Sequence, residues 1–119
     1  MNYVDGFVLV VQKKRISEYL KIARKASKIW KEYGALEYRE AVGDDLAVSW
    51  GRPFGQLTKL KADETVVFAW IVYRSKGHRD SVNKKIMKDE RLQKMCDPNN
   101  PPFDMKRMSY GGFKIKVKS

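Results

Sequence analysis

The segment TVVFAWIVY, Thr65–Tyr73, is the stretch of sequence that decides the fold. It is rich in β-branched and aromatic residues, a composition typical of a strand. Side chains alternate between the two faces of a strand. Here both faces are apolar, one carrying Val66, Phe68, Trp70 and Val72, the other Val67, Ala69, Ile71 and Tyr73. Such a strand is predicted for the centre of a sheet that is covered on both sides.

The segment Tyr3–Val11 has the same two-sided apolar pattern and is predicted as a second central strand. The last strand is predicted at about Lys106–Lys118, with a bulge at Gly111–Gly112. Its apolar residues Phe113, Ile115 and Val117 alternate with Lys114, Lys116 and Lys118. Lysines on one side of a strand are typical of a sheet edge, where they prevent pairing with other chains.

Two helices and a further strand are predicted between these segments. Arg15–Tyr33 has helical spacing and ends at Gly34, a C-cap residue, whereas Lys76–Lys88 follows Ser75, an N-cap residue. The further strand is Ala35–Val42. The order strand, helix, strand, strand, helix, strand is that of the ferredoxin-like split βαβ plan.

Two helices can cover only one face of this sheet, yet its two central strands are apolar on both faces. Large exposed apolar patches are uncommon on monomeric proteins, and twofold pairing is the commonest closed symmetry. We therefore expect two copies of the chain to pack sheet to sheet as a homodimer, the arrangement of a dimeric α/β barrel.

The size and composition of the chain favour one α+β domain over residues 1–119. With 119 residues, 43% of them hydrophobic, the chain can bury one core but not two. Cys96 is its one cysteine, so no internal disulfide can form. The first apolar run, Phe7–Val11, is too short for a membrane span and is followed by cations instead of a cleavage site. We therefore expect no membrane association and a cytoplasmic location.

The formal net charge of +11 attracts phosphates and other anions at long range. Five cations form a basic stripe on the first predicted helix, opposite its apolar side: Lys21, Arg24, Lys25, Lys28 and Lys31. Contact between the basic stripe and a nucleic-acid backbone is an alternative hypothesis for function. The competing interpretation is that the charge is a general property of the surface.

Several short motifs carry a family resemblance over nearly the whole chain. They are Tyr3-Val4-Asp5-Gly6-Phe7, Gly34-Ala35-Leu36-Glu37-Tyr38, Gly43-Asp44-Asp45, Glu64-Thr65-Val66-Val67-Phe68-Ala69-Trp70, His78-Arg79-Asp80, Phe103-Asp104, Lys106-Arg107-Met108 and Tyr110-Gly111-Gly112-Phe113. The sequence resembles the YbaA-like family of uncharacterised bacterial proteins (domain of unknown function 1428). The resemblance implies a ferredoxin-like dimeric barrel and brings no catalytic residue with it.

The sequence predicts no metal and no cofactor. The common zinc sites need clustered histidines and cysteines, and the chain has only His78 and Cys96. Asp44 and Asp45 beside Gly43 are more typical of a solvated turn than of a cation site. No glycine-rich phosphate motif or Walker-type lysine is present in the sequence.

One residue is a candidate for catalysis. His78 has the one side chain whose ordinary pKa suits proton transfer near neutral pH. It also lies near the start of the second helix, where histidines often pack or hydrogen-bond locally. Whether the protein is an enzyme is therefore left open.

The candidates for ligand binding are four large side chains and one acid: Trp30, Tyr38, Trp70, Arg107 and Asp5. Aromatic side chains would form the walls of a pocket, and Arg107 would fix an anionic group. Asp5 would need a partner if buried, and Arg107, Lys106 or a tyrosine hydroxyl could supply it. The hypothesis is a pocket that binds a small molecule, with anionic molecules among the candidates, or that carries out a cofactor-free reaction on it. The competing interpretations are core or interface packing and a purely structural protein.

Overall fold

Four strands form one antiparallel sheet in the computed structural model, which describes residues 2–119. They are β1 (Tyr3–Gln12), β2 (Glu37–Val42), β3 (Glu64–Tyr73) and β4 (Ser109–Lys114), and their order across the sheet is β2-β3-β1-β4. The first and third strands occupy the centre and the second and fourth the edges, as the patterning predicts. The ferredoxin-like α+β plan is confirmed.

The helical segments are α1 (Ile16–Glu32), α2 (Phe54–Leu57), α3 (Lys76–Met87) and α4 (Glu90–Gln93), with 3-10 turns at Lys13–Arg15 and Met105–Arg107. The two long helices end and begin at the predicted caps. Gly34 adopts a φ of +110° and donates its N–H to the carbonyl of Lys31. Ser75 Oγ accepts a hydrogen bond from the His78 N–H at 3.1 Å.

The register of the strands assigns each side chain to one of two faces, because residues paired across strands share a face. The helix face packs against α1 and α3 and includes Phe7, Leu9, Val11, Val67, Ala69, Ile71 and Tyr73. The open face includes Val4, Gly6, Val8, Phe68, Trp70 and Val72. The core therefore lies between the helix face and the two long helices.

The connection between β2 and β3 covers one end of the open face. Gly43 donates its N–H to the carbonyl of Val66 at 2.7 Å, and the ring of Phe54 in α2 lies edge-on to Phe68 with centroids 6.1 Å apart. Val10 and Val66 are consequently buried. Trp50, in the same connection, is 85% exposed.

The remainder of the open face is apolar and in contact with solvent. Phe68 is 45% exposed and Phe113 is 61% exposed. Trp70 lies opposite Gly6, which in turn lies opposite Gly111. These residues border an apolar groove of about 580 Å³ on the sheet surface. The described residues therefore leave uncovered the face for which the two-sided patterning predicts a partner.

The predicted bulge at Gly111–Gly112 is wrong. β4 pairs with β1 without interruption, from Ser109 opposite Val8 to Lys114 opposite Tyr3. Gly112 is needed for space instead, since a Cβ at this position would stand 2.8 Å from Cε2 of Tyr3. The strand is also shorter than the predicted Lys106–Lys118 at both ends: it stops at Lys114, and the 3-10 turn Met105–Arg107 takes up the predicted start.

Candidate functional site

A cavity of about 240 Å³ lies between α1 and the helix face of the sheet. It exists because small residues face each other across the two layers: Ala23 and Ala26 on α1, and Ala69 on β3. Larger side chains surround this space, among them Trp30 and Phe103. The lining is predominantly apolar, so the cavity suits the body of a small organic molecule.

One end of the cavity is polar and is built from three side chains. Tyr38 and Glu40 alternate along β2 and so point to the same face, while Tyr19 lies on the buried side of α1. The Tyr19 hydroxyl donates to Oε1 of Glu40 at 2.5 Å, and the Tyr38 hydroxyl donates to Oε2 at 2.7 Å. The carboxylate of Glu40 is thus held from two sides by phenols.

The same arrangement keeps both phenols protonated. Burial raises the pKa of Tyr19 and of Tyr38 well above the ordinary value, and the negative charge of Glu40 raises both further. A protonated phenol has one hydrogen to donate, and each of these two donates it to Glu40. The polar end therefore presents acceptor oxygens to the cavity.

The indole of Trp30 is also engaged. Its Nε1 donates to the Tyr73 hydroxyl at 3.2 Å, and that hydroxyl lies 3.4 Å from Oδ1 of Asn83 on α3. The rings of Trp30 and Tyr38 meet at a centroid distance of 5.9 Å. The aromatic wall is therefore oriented by hydrogen bonds that run from the cavity toward α3.

The structure brings together only two of the residues proposed for a ligand site. Trp30 and Tyr38 line the cavity. Trp70 lies on the open face, on the far side of the sheet, because it alternates with Ala69 and Ile71. Trp70 therefore cannot share a pocket with Trp30, and its surroundings are those of the exposed apolar groove.

His78 lies outside the cavity, at the start of α3. Its Nδ1 accepts a hydrogen bond from the backbone N–H of Arg74 at 3.0 Å, and its ring lies edge-on to Tyr73 with centroids 5.8 Å apart. Burial lowers the pKa of His78, and the positive charges of Arg74 and Lys85 lower it further. These contacts are the local packing and hydrogen bonding that form the alternative interpretation to catalysis.

The partner of Asp5 is not one of those predicted. Asp5 Oδ1 accepts a hydrogen bond from Nη1 of Arg79 on α3 at 2.9 Å. Nη2 of the same guanidinium donates to the Tyr3 hydroxyl at 3.3 Å, and Nη1 also donates to the Tyr110 hydroxyl at 3.2 Å. Asp5 points to the helix face of the sheet, near the start of α3, and a residue of α3 is therefore its partner. Burial raises the pKa of Asp5, while the charge of Arg79 opposes that shift.

Arg107 lies outside the cavity, and its guanidinium is engaged by two carboxylates. It forms ion pairs with Glu64 at 2.5 Å and Asp104 at 2.7 Å, near the end of β1 remote from Asp5. Its Nη1 also donates to the carbonyl of Lys59 at 3.1 Å. The bonds to Arg107 lower the pKa of both carboxyl groups.

The basic stripe is divided between several environments. Lys21, Lys25 and Lys28 line a groove of about 700 Å³ beside α4, to which Arg91 and Lys94 add positive charge and Glu18, Glu32 and Asp97 negative charge. Arg24 borders a different groove, beside β2. Lys31 Nζ donates to the carbonyl of Leu36 at 2.8 Å. Three of the five predicted cations therefore converge on one groove.

Residues 2–119 contain neither a cluster of metal ligands nor a membrane-spanning helix. Within this range no group of three or more histidine, cysteine, aspartate or glutamate side chains is placed to hold a metal ion. None of the helices described there has the length and apolar character needed to cross a membrane.

Sequence reasoning missed the polar end of the cavity. Glu40 and Tyr38 stand two residues apart on a predicted strand, which places them on one face. Tyr19 lies on the apolar side of the predicted first helix. The sequence therefore indicated that two phenols and an acid face the space between the first helix and the sheet. It could not show that Tyr19 meets Glu40, because that contact depends on where the helix lies on the sheet.

Comparison with known proteins agrees with this architecture. Residues 2–105 match the model of a family described as protein of unknown function (DUF1428). The uncharacterized protein YbaA of Escherichia coli K12 is 42% identical over 113 residues, 95% of each chain, and the Shigella flexneri YbaA protein matches to the same extent.

Two solved structures share the fold at low sequence identity. The de novo designed protein Foldit4 is 12% identical, with a TM-score of 0.51 over 98% of this chain and 100% of its own. A dimeric ferredoxin-like protein from an uncultured marine organism is 8% identical, with a TM-score of 0.51 and the same coverage.

Proposed function

The chain belongs to the DUF1428 family, and we propose that it binds a small, largely apolar molecule in the cavity between α1 and the sheet. The observation that carries this proposal is an apolar cavity with polar groups at one end. Ligand sites commonly have this composition, in which a few polar groups fix the orientation of a mostly apolar molecule.

The size of the cavity limits what can enter. An engineered apolar cavity of about 150 Å³ binds benzene, and this one measures about 240 Å³. It can therefore hold a single ring with an arm of two or three atoms. The proposal is for binding alone. His78, the residue suited to proton transfer near neutral pH, does not line the cavity and makes its contacts elsewhere.

A cavity-filling substitution tests the proposal. In Ala23→Leu the added carbons should occupy the cavity, whereas in the control Ala62→Leu they project from an exposed loop. The probe is n-propylbenzene, detected through chemical shifts of the methyl groups of Ile22 and Ile71. We expect saturable shifts in the unmodified protein and in Ala62→Leu, and their loss in Ala23→Leu. Binding that Ala23→Leu leaves unaffected would reject the site, and so would a failure of the unmodified protein to bind either n-propylbenzene or a charged analogue of the same size.

We also propose that the protein is a homodimer joined through the open face. The exposed side chains of Phe68 and Phe113 and the groove beside Trp70 support a partner on this face. The dimeric state named for the marine ferredoxin-like protein supports a second copy as that partner. Twofold pairing would place two open faces against each other.

Light scattering at micromolar concentration tests the dimer. Phe68→Lys should yield a monomer because it buries a charge in the interface. Met87→Lys, which places the same charge at an exposed apolar position at the end of α3, should remain dimeric. A monomeric unmodified protein, or a dimer that Phe68→Lys leaves intact, would contradict the proposed interface.

A second candidate function is weak binding of nucleic acid by the groove beside α4. The convergence of Lys21, Lys25 and Lys28 favours it, although three acids line the same groove. Contacts with a phosphate backbone alone are indifferent to sequence and weaken steeply with salt. Fluorescence anisotropy with two single-stranded homopolymers of different base should show both properties, and Lys25→Gln should reduce the salt slope. Sequence-selective binding that survives about half-molar salt would contradict this mode.

A further inference from the structure

We propose that the molecule taken by the cavity is a small organic cation, with an ammonium or similar donor at Glu40 and an apolar body among the aromatic side chains. This inference rests on the proposed function, because it names the class of ligand for the same cavity. The sequence put anionic molecules among the candidates. A cation is favoured instead because the polar groups that face the cavity accept hydrogen bonds and have none left to donate.

The polar groups at the cavity have no hydrogen left to donate. Tyr19 and Tyr38 each donate their one hydroxyl hydrogen to Glu40. The Trp30 indole donates its one N–H to the Tyr73 hydroxyl. An anionic group at this end of the cavity needs donors and would meet only a carboxylate, whose like charge repels it.

Glu40 retains capacity for a donor. A carboxylate has about four acceptor sites, and the two phenols occupy two of them. Among the described residues 2–119, no lysine or arginine nitrogen forms a salt bridge with Glu40. Its negative charge is therefore hydrogen-bonded but not neutralised. A cationic donor supplies both the missing charge and the missing hydrogen bonds.

The aromatic wall favours the same class of ligand. Tyr38 hydrogen-bonds to Glu40, and the Trp30 ring lies next to the Tyr38 ring in the cavity wall, with centroids 5.9 Å apart. A cation over the face of tryptophan or tyrosine is attracted by the ring quadrupole, an interaction that neutral and anionic groups do not gain. The carboxylate and the aromatic rings therefore both favour a cationic ligand.

The positive charge of the chain as a whole does not reverse this preference. Exposed charges are screened beyond about 8 Å at physiological ionic strength, so the groups at the cavity decide the affinity. Glu40 is the one charged side chain that lines the cavity within residues 2–119. Arg24 borders a different, adjoining groove, which shares Ala23, Tyr38 and Glu40 with the cavity.

Three probes of similar size and different charge test the inference. They are 2-phenylethylamine, which is a cation at neutral pH, n-propylbenzene, which is neutral, and phenylacetate, which is an anion. Calorimetry on the purified full chain at pH 7 gives a Kd for each. We expect 2-phenylethylamine to bind at least about tenfold more tightly than phenylacetate, because a charged hydrogen bond contributes that much or more.

Substitution of Glu40 separates its charge from the shape of the cavity. Glu40→Gln should weaken 2-phenylethylamine about tenfold or more and leave the Kd of n-propylbenzene within about twofold. The matched control is Glu37→Gln, since Glu37 lies on the same strand, faces the opposite side of the sheet and pairs with Arg39. It should change neither Kd.

The outcomes distinguish this inference from the proposed function. If n-propylbenzene binds and 2-phenylethylamine does not, or if phenylacetate binds as tightly as the amine, the cavity stands and the cationic ligand is rejected. If none of the three probes binds, both are rejected. The comparison of the three probes on the unmodified protein decides the matter even if Glu40→Gln does not fold.

Discussion

Replacing Asp5 with alanine should destabilise the protein strongly, because it breaks a buried ion pair from one side. Asp5 is 1% exposed and its Oδ1 lies 2.9 Å from Nη1 of Arg79. After the substitution, the guanidinium remains in place without the carboxylate that compensates for its burial. Removing one partner of a buried pair typically costs about 3 to 5 kcal/mol.

The lower end of that range applies here. Arg79 retains hydrogen bonds to the Tyr3 and Tyr110 hydroxyls and to Asp80, so its charge is not left wholly unpaired. We expect a loss of about 3 kcal/mol. For 119 residues, an unfolding entropy of about 2.1 cal/mol/K per residue gives about 0.25 kcal/mol/K, and the melting temperature should fall by roughly 12 °C.

The same arginine provides the control. Asp80 accepts from Arg79 Nε at the same distance, 2.9 Å, but its side chain is 57% exposed. Asp80→Ala should therefore cost less than about 1 kcal/mol. Urea unfolding and thermal melts of Asp5→Ala, Asp80→Ala and the unmodified protein measure both effects. Equal losses for the two substitutions would refute the argument from burial. Adding Arg79→Met to Asp5→Ala should restore part of the stability, because no uncompensated charge then remains.

Two further predictions concern the sheet. Gly112→Ala should lower the free energy of unfolding by about 1 to 3 kcal/mol, measured in urea, because the new Cβ would overlap the ring of Tyr3. The control Gly77→Ala has space around it in α3 and should be neutral or stabilising. Equal effects of the two substitutions would contradict the packing argument. The pKa of Glu64 is lowered by its bonds to Arg107, so the folded state binds fewer protons there. This contribution to stability is present at neutral pH and should be lost as the pH falls below about 4.3. Glu64→Gln should flatten the decline in the urea midpoint between about pH 5 and pH 3, and an unchanged slope would contradict this assignment.

The central strands were predictable because their signal is local. Period-two alternation places Phe68 and Trp70 on one side of β3, and Ala69 and Ile71 on the other, whatever the rest of the chain does. Which side meets the helices is a different question. Both sides are apolar, so the pattern could not show that Trp70 faces away from α1. The predicted pocket therefore combined Trp70 with Trp30, although the two lie on opposite sides of the sheet.

The residues of the site were harder to predict because they meet across long sequence distances. Asp5 pairs with Arg79, and Glu40 binds Tyr19, contacts that depend on where each helix lands on the sheet. Arg107 was assigned to a ligand because its guanidinium suits anions. The same chemistry suits Glu64, which the 3-10 turn before β4 brings within reach. Residue type thus predicted the interaction but not the partner.

The three tryptophans of the chain occupy three unlike surroundings, and this gives the protein a set of built-in optical reporters. Trp30 stands in the cavity wall, Trp50 lies in solvent, and Trp70 lies on the open face. With the other two replaced by phenylalanine, the emission of Trp30 alone would respond to occupancy of the cavity. The emission of Trp70 alone would shift to the blue when a second copy covers it. Trp50 would serve as the reference that follows neither event.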